Sequence, residues 1–444
     1  MESPTTWPRR RFTCSPTRQA GSQATCCTSL AASSPPATCS GGCASTTRSR
    51  TRQGSDATSL RKDVATLGLI WLTAFNLRVL LFAIPPTLPA MRADLGLSYF
   101  ATGSITSVAV LALGIASIPG ALLATRFGAR RLVTACAAGL AIFGAAITLP
   151  PGAFWVFAGA ALLTLSIAIA QPPLAVLIRR WFPTSITRAS NLYANGLLMG
   201  NVLGASLSPF ISQVIGWRAM FLVWAAVAAI GALLWARFTP RDETAAPPVN
   251  LGKVLRDPRV WQVAALFTFQ NLVYYTVATW TPFLLTGHTA ADIATTFLFL
   301  TFFPIVPLFA LTFVRWQFAL STWFYVAAGG MAVIGSLGLL FGLTELVRPL
   351  VFMVGLGTGA AFVASIALPP LLAADESEAS TYSAVMYTTG YLLAFVGPFS
   401  AGMIVDATGK IPPAFWPPLA GAVLMAVVGS LAPRMLSSRL ATAK

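Results

Sequence analysis

Twelve apolar runs of 18 to 26 residues occupy most of this 444-residue chain, at 66–90, 101–124, 132–149, 153–177, 189–214, 217–237, 260–285, 294–314, 319–342, 349–372, 381–405 and 413–433. A helix of about twenty residues crosses a hydrocarbon core of about 30 Å, and irregular backbone does not face lipid, so each run predicts a transmembrane α-helix. Only 9% of the residues are charged, against roughly a quarter in soluble chains. That excludes a soluble globular domain, a coiled coil and a disordered protein. The runs divide six and six around a polar stretch from Arg237 to Arg259 that holds Asp242, Glu243, Pro247, Pro248 and Lys253. The expected fold is an all-α integral membrane protein with one six-helix bundle over 61–238, a cytoplasmic linker over 239–258, a second bundle over 259–436 and a short tail over 437–444.

The net charge of +16 invites a nucleic-acid reading, but position decides against it. With the N-terminus inside, one side of the membrane collects seventeen Lys and Arg residues, including Arg126, Arg130, Arg131, Arg179, Arg180 and Arg188. The other side has four, Arg92, Arg218, Arg348 and Lys410. Cytoplasmic loops carry the excess of Lys and Arg, so both termini are expected in the cytoplasm of a cell whose plasma membrane the chain spans, with lipid and no nucleic acid as its surroundings.

Residues 1–60 differ in kind. They are rich in Ser, Thr, Pro and Arg and hold five of the six cysteines, with no spacing that fits a zinc site and no apolar segment after Arg9-Arg10-Arg11. Such a composition cannot bury enough apolar surface to offset the entropy of ordering. This tail is expected to be disordered, or translated from upstream of the true start.

Among all the charged residues, only Arg78 lies deep within an apolar run, eleven residues past Leu67, or about 17 Å at 1.5 Å per residue. A charge at that depth costs at least about 2.5–3.5 kcal/mol and so faces protein or a polar cavity. No acidic residue lies deep in any run, so Arg78 has no carboxylate of the chain to pair with. A guanidinium with five donors and no counter-ion suits bidentate capture of a small anion. The structural alternative is an arginine satisfied by backbone carbonyls where Pro85-Pro86 loosens its helix.

Polar side chains at similar depth are candidates to complete a solute site: Asn76, Gln171, Asn195, Gln270, Asn271, Tyr274, Tyr275, Tyr387 and Tyr391. Gln270 with Tyr274, Asn271 with Tyr275, and Tyr387 with Tyr391 are four apart and share helix faces. Each is also a candidate for a plain helix–helix hydrogen bond. Gly196, Gly200 and Gly204 form a small-residue face for close helix packing, and are candidates for a surface that moves during gating. His288, the sole histidine, falls in a loop, and no metal centre or cofactor is expected. Without nucleophiles, paired acids or metal ligands at membrane depth, an enzyme is excluded.

Several motifs are similar to those of the major facilitator superfamily. Gly120-Ala-Leu-Leu-Ala-Thr-Arg-Phe-Gly-Ala-Arg-Arg131 resembles that superfamily's loop between its second and third helices, with Thr125 in the acidic position. Arg179-Arg-Trp-Phe-Pro183 and Gly216-Trp-Arg218 add to the likeness. Within the superfamily the chain resembles the cyanate permease and nitroimidazole transporter group. The likeness rests on Asn76-Leu-Arg78 with Pro85-Pro86-Thr-Leu-Pro89, on Gln270-Asn-Leu-Val-Tyr-Tyr275, and on Gly390-Tyr-Leu-Leu-Ala-Phe-Val-Gly-Pro398 followed by Asp406-Ala-Thr-Gly409. The resemblance implies a secondary transporter for a small anion or small polar organic compound; the expected reading is a monomer that moves a small, anionic solute by alternating access, with efflux of drug-like heterocycles as the alternative and a membrane receptor or scaffold as a remote one. It assigns gating to Gly120, Arg126, Gly128, Arg130 and Arg131, and is compatible with coupling to a proton or an anion, or with uniport.

Overall fold

The computed structural model describes residues 48–149, 152–240, 251–308, 321–373 and 376–442, and every regular element among them is helical. Contacts divide the chain into two units, Met1–Ala57 and Thr58–Lys444. The second unit carries all of the apolar runs. The expectations for residues 1–47, for most of the linker, for 309–320 and for Asp375 lie outside the described residues.

The helices are α1 (Arg48–Leu95), α2 (Tyr99–Phe127), α3 (Ala129–Ala146), α4 (Ala153–Trp181), α5 (Ile186–Phe238), α6 (Pro258–Leu284), α7 (Ala290–Thr301), α8 (Thr322–Leu340), α9 (Val347–Leu372), α10 (Glu376–Ala394), α11 (Val396–Thr408) and α12 (Trp416–Thr442), with a single helical turn at Leu251–Val254. Ten stretches among the described residues are long and apolar enough to cross a membrane. They hold eleven of the twelve runs, because Arg188–Phe238 contains two. These two were expected as separate helices. They are two helices that meet at a kink at Gly216, where φ is 82° and ψ 157°. Glycine enters that region without the strain a Cβ would bring.

The remaining run is α6, which is too polar to qualify by hydropathy. Gln270, Asn271, Tyr274 and Tyr275 stand at its centre, yet it is buried along most of its length. Protein and not lipid surrounds it, chiefly α9, α10 and α12. Its threonines, Thr268, Thr276, Thr279 and Thr281, donate to the carbonyl four residues back at 2.6–2.8 Å. Their hydroxyls are thus satisfied inside the helix.

Prolines act differently in two of the runs. Pro85, Pro86 and Pro89 remain inside α1, which stays helical to Leu95. The run at 381–405 instead divides into α10 and α11 beside Phe395. Pro398 has no N–H to give the carbonyl of Ala394, which removes a bond at that junction.

Before the linker, α4 packs on α2 and α3, and α3 on α5. After it, α8 packs on α9 and α12, α6 on α10 and α12, and α7 on α9. The two sets meet where α2 packs on α10 and α11, and α5 on α7. At the end that carries the α1–α2 turn this junction is tight. The Asp406 carboxylate of α11 accepts from the backbone N–H of Tyr99 at 3.0 Å and of Phe100 at 2.9 Å, at the start of α2. A negative charge on the first turn of a helix is favourable electrostatically. The rings of Phe100 and Phe399 meet edge-on at 4.9 Å. Tyr99 packs on Trp280 and Phe283 of α6, centroids 6.2 and 5.8 Å away.

Candidate functional site

Arg78 is buried, with 7% of its surface exposed. Its position is set by the close approach of α1 to α5. A Cβ on Gly196, Gly200 or Gly204 would lie 2.5, 2.5 and 2.4 Å from the carbonyl oxygens of Trp71, Phe75 and Val79, respectively. Four-residue spacing on one helix thus meets four-residue spacing on the other, backbone against backbone, as small residues allow. Gly200 would also bring its Cβ to 2.8 Å from that of Arg78. The glycine face therefore joins α1 to α5 within the first set of helices and fixes the root of the arginine.

The guanidinium reaches five tyrosines. The hydroxyls of Tyr275 of α6 and Tyr391 of α10 lie beside its charge. Tyr193 of α5, Tyr274 of α6 and Tyr387 of α10 stand close enough to feel its charge. The chain has eight tyrosines in all, so this is a concentration and not a background. Rings complete the wall: Phe82 lies 6.0 and 6.3 Å from Tyr274 and Tyr275, Phe267 lies 5.2 Å from both Tyr387 and Tyr391, and the last two stack at 6.3 Å. No carboxylate of the described residues pairs with Arg78, and its Nε is buried without a partner. A tyrosine oxygen that accepts from arginine keeps its own proton to donate. The cluster is consequently rich in donors and open to a ligand that accepts.

Of the sequence candidates, the structure brings Tyr274, Tyr275, Tyr387 and Tyr391 to Arg78. Asn76 goes elsewhere: two residues from Arg78, it projects from another face of α1, and its Nδ2 packs against Gly231 in the second half of α5. Asn195 accepts from Trp71 Nε1 at 2.9 Å, tying α5 to α1. Asn271 donates to the Phe267 carbonyl of its own helix at 2.7 Å. Gln270 is buried with Nε2 unpartnered, and Gln171 is half-buried before Pro172 and Pro173 in α4. Tyr193 joins the cluster without being among the sequence candidates; its place two residues before Asn195, one turn ahead of Gly196, is the signal the sequence offers.

The loop residues sit within the first set. Gly120 packs on α4, where a Cβ would meet Ile169 Cα at 2.7 Å. Gly128 turns the chain from α2 to α3 at φ 82°. Arg126 lies over Phe127 at 5.5 Å, and Arg131 is in the first turn of α3. Arg130 donates to the Ala236 carbonyl at 2.7 Å and to Thr239 Oγ1 at 3.1 Å, a cation on the last turn of α5. Thr125, in the acidic position of the motif, returns its hydroxyl to the Leu122 carbonyl at 2.7 Å.

The sequence profile of the Major Facilitator Superfamily matches residues 70–398. The chain belongs to this superfamily. The 2-nitroimidazole transporter of Escherichia coli (strain K12) is 28% identical to it over 397 residues, 86% of this chain and 98% of that one. The cyanate transport protein of the same organism is 26% identical over 217 residues, 48% of this chain and 56% of that one. These two represent the group that the three sequence patches resemble. Among solved structures, a bacterial homologue of the human lysosomal transporter Spinster, inward-facing and unoccupied, superposes with a TM-score of 0.68 over 85% of this chain and 98% of that one. At 16% identity this likeness speaks for the fold alone. This superfamily member is a multi-pass membrane transporter and not an enzyme.

Proposed function

We propose that this transporter carries a small anionic solute by alternating access, with Arg78 as the group that holds the anion. The observation that supports this most directly is the buried guanidinium with tyrosines around it and no carboxylate of the described residues beside it. Arg78 and Tyr193 come from helices before the linker, and the other four tyrosines from helices after it. An anion seated between them would be gripped by both sets and released when they part. In this reading 61–238 and 259–436 are the two rocking halves, 239–258 their cytoplasmic linker, and the Arg126–Arg131 loop part of the inner gate. The Lys- and Arg-rich end is cytoplasmic, so the Asp406 junction closes the outer end of a monomer in the plasma membrane. With no carboxylate beside Arg78, anion exchange or uniport suits the site better than a proton relay through the chain.

Counterflow in proteoliposomes tests the reading, comparing wild type with Arg78→Gln for cyanate, nitrate, benzoate and 2-nitroimidazole. Anion transport by the wild type, at least tenfold lower in the folded variant, is the expected result. Wild-type transport of none of the anions, or of anions equally well by Arg78→Gln, would remove Arg78 from the binding role.

The aromatic wall favours a second reading, export of a small planar heterocycle. The phenyl and phenol rings around Arg78 suit a flat ring, and a nitro group offers a guanidinium two oxygens as a carboxylate does. The 2-nitroimidazole arm of the same experiment decides it.

A further inference from the structure

Arg78 and Arg92 are fourteen residues apart on α1, about 21 Å along the axis, and fourteen residues come close to four full turns, which puts both on one face. Phe82 and Pro85 lie between them on that stripe. They line a small cavity with Thr106 of α2 and Tyr275 of α6. Its volume is about 10 Å³, room for about one water, and the Thr106 hydroxyl is buried there without a partner. Next toward the Arg92 end comes Tyr99 against Trp280, the ring contact that closes α2 on α6. The Arg92 guanidinium lies over the Tyr99 ring at 3.7 Å, a cation–π contact.

The charge of Arg92 has no carboxylate partner among the described residues, although an acid is near. Asp94 is engaged by Arg218 and by Trp217 Nε1. Arg348, another cation of this end, pairs with Asp292 at 2.6 Å. The Nε of Arg92 is buried and unpartnered, as is that of Arg78.

The geometry points to Arg92 as a second, outer anion subsite: an anion leaving or approaching Arg78 along this stripe of α1 is received by Arg92 once the Tyr99–Trp280 contact parts. The inference rests on the anion reading of Arg78 and extends it to a route. Arg92 would act on one face of the membrane only, whereas Arg78 serves both.

Uptake of radiolabelled cyanate into proteoliposomes tests this, measured separately from the face that carries Arg92 and from the opposite face. Arg92→Gln is expected to raise KM from the Arg92 face about tenfold, with the maximal rate and the KM from the opposite face within twofold of wild type. Arg92→Lys, which keeps the charge, is expected to stay within about threefold of wild type on both faces. An equal change on both faces, or none, in a protein where Arg78→Gln abolishes uptake would overturn the outer subsite and leave Arg78 in place. Uptake by Arg78→Gln equal to wild type, or no uptake of cyanate, nitrate or benzoate by wild type, would overturn the Arg78 reading and this one with it.

Discussion

Arg78 is costly to bury, and tyrosine hydroxyls are the polar groups that face its charge. A hydrogen bond to a charged group contributes about 1.5–3 kcal/mol. Tyr391→Phe, which removes a hydroxyl beside the guanidinium and keeps the ring, is therefore expected to lower the stability of the solute-free protein by at most that order and, under the anion reading, to raise KM several-fold. Thermal unfolding followed by size-exclusion chromatography, together with counterflow, checks both. At this scale Arg78 was legible in the sequence because it is a lone charge deep in an apolar run. Asn76 was misplaced because closeness in sequence is not closeness in space: residues two apart on a helix point to different sides. Tyr193 went unread because an isolated tyrosine looks the same facing lipid headgroups, a neighbouring helix or a cation. Only the partner helix distinguishes the cases.

Among the elements, the pairing of α1 with α5 sets the frame of the site. At Gly200 a side chain would have to occupy space 2.5 Å from the Phe75 carbonyl oxygen and 2.8 Å from Arg78 Cβ. Gly200→Leu is expected to force the helices apart, costing about 3 kcal/mol or more as overpacking does at its worst, with loss of folded protein in detergent. Ile115→Ala, at a site 52% exposed, serves as a control expected to fold normally. Helix count and limits were largely legible, since apolar length fixes what spans a bilayer. The division beside Phe395 was not, whereas Gly216 lies at the boundary expected between two runs, and a single residue of positive φ makes the kink there. The prolines of α1, which fall within a run expected as one helix, do lie inside a continuous helix, where freed carbonyls are tolerated because protein encloses it.

On the scale of the molecule, Asp406 is the carboxylate that ties helices after the linker to the start of α2. Replacing it with asparagine removes the charge that favours this contact and leaves one carbonyl oxygen to serve two N–H groups. Asp406→Asn is expected to increase, about threefold or more, the labelling of Thr106→Cys by an impermeant maleimide added from the Arg92 end, the five cysteines of the first 43 residues having been replaced by serine. Unchanged labelling would mean that the aromatic contacts hold this end closed without it. The sequence marked Asp406 only as part of a motif, because a bond across 307 positions leaves no local pattern. The glycine contact of α1 with α5 carries one more implication, for how such a scaffold diversifies. Three backbone-to-backbone contacts fix the root of Arg78 on one helix pair, whereas the tyrosines around it stand on three helices, α5, α6 and α10. A lineage built on this chain can exchange cargo by altering the tyrosines one at a time while its cation stays where it is, so descendants should differ in the shape of solute they admit far more readily than in its charge.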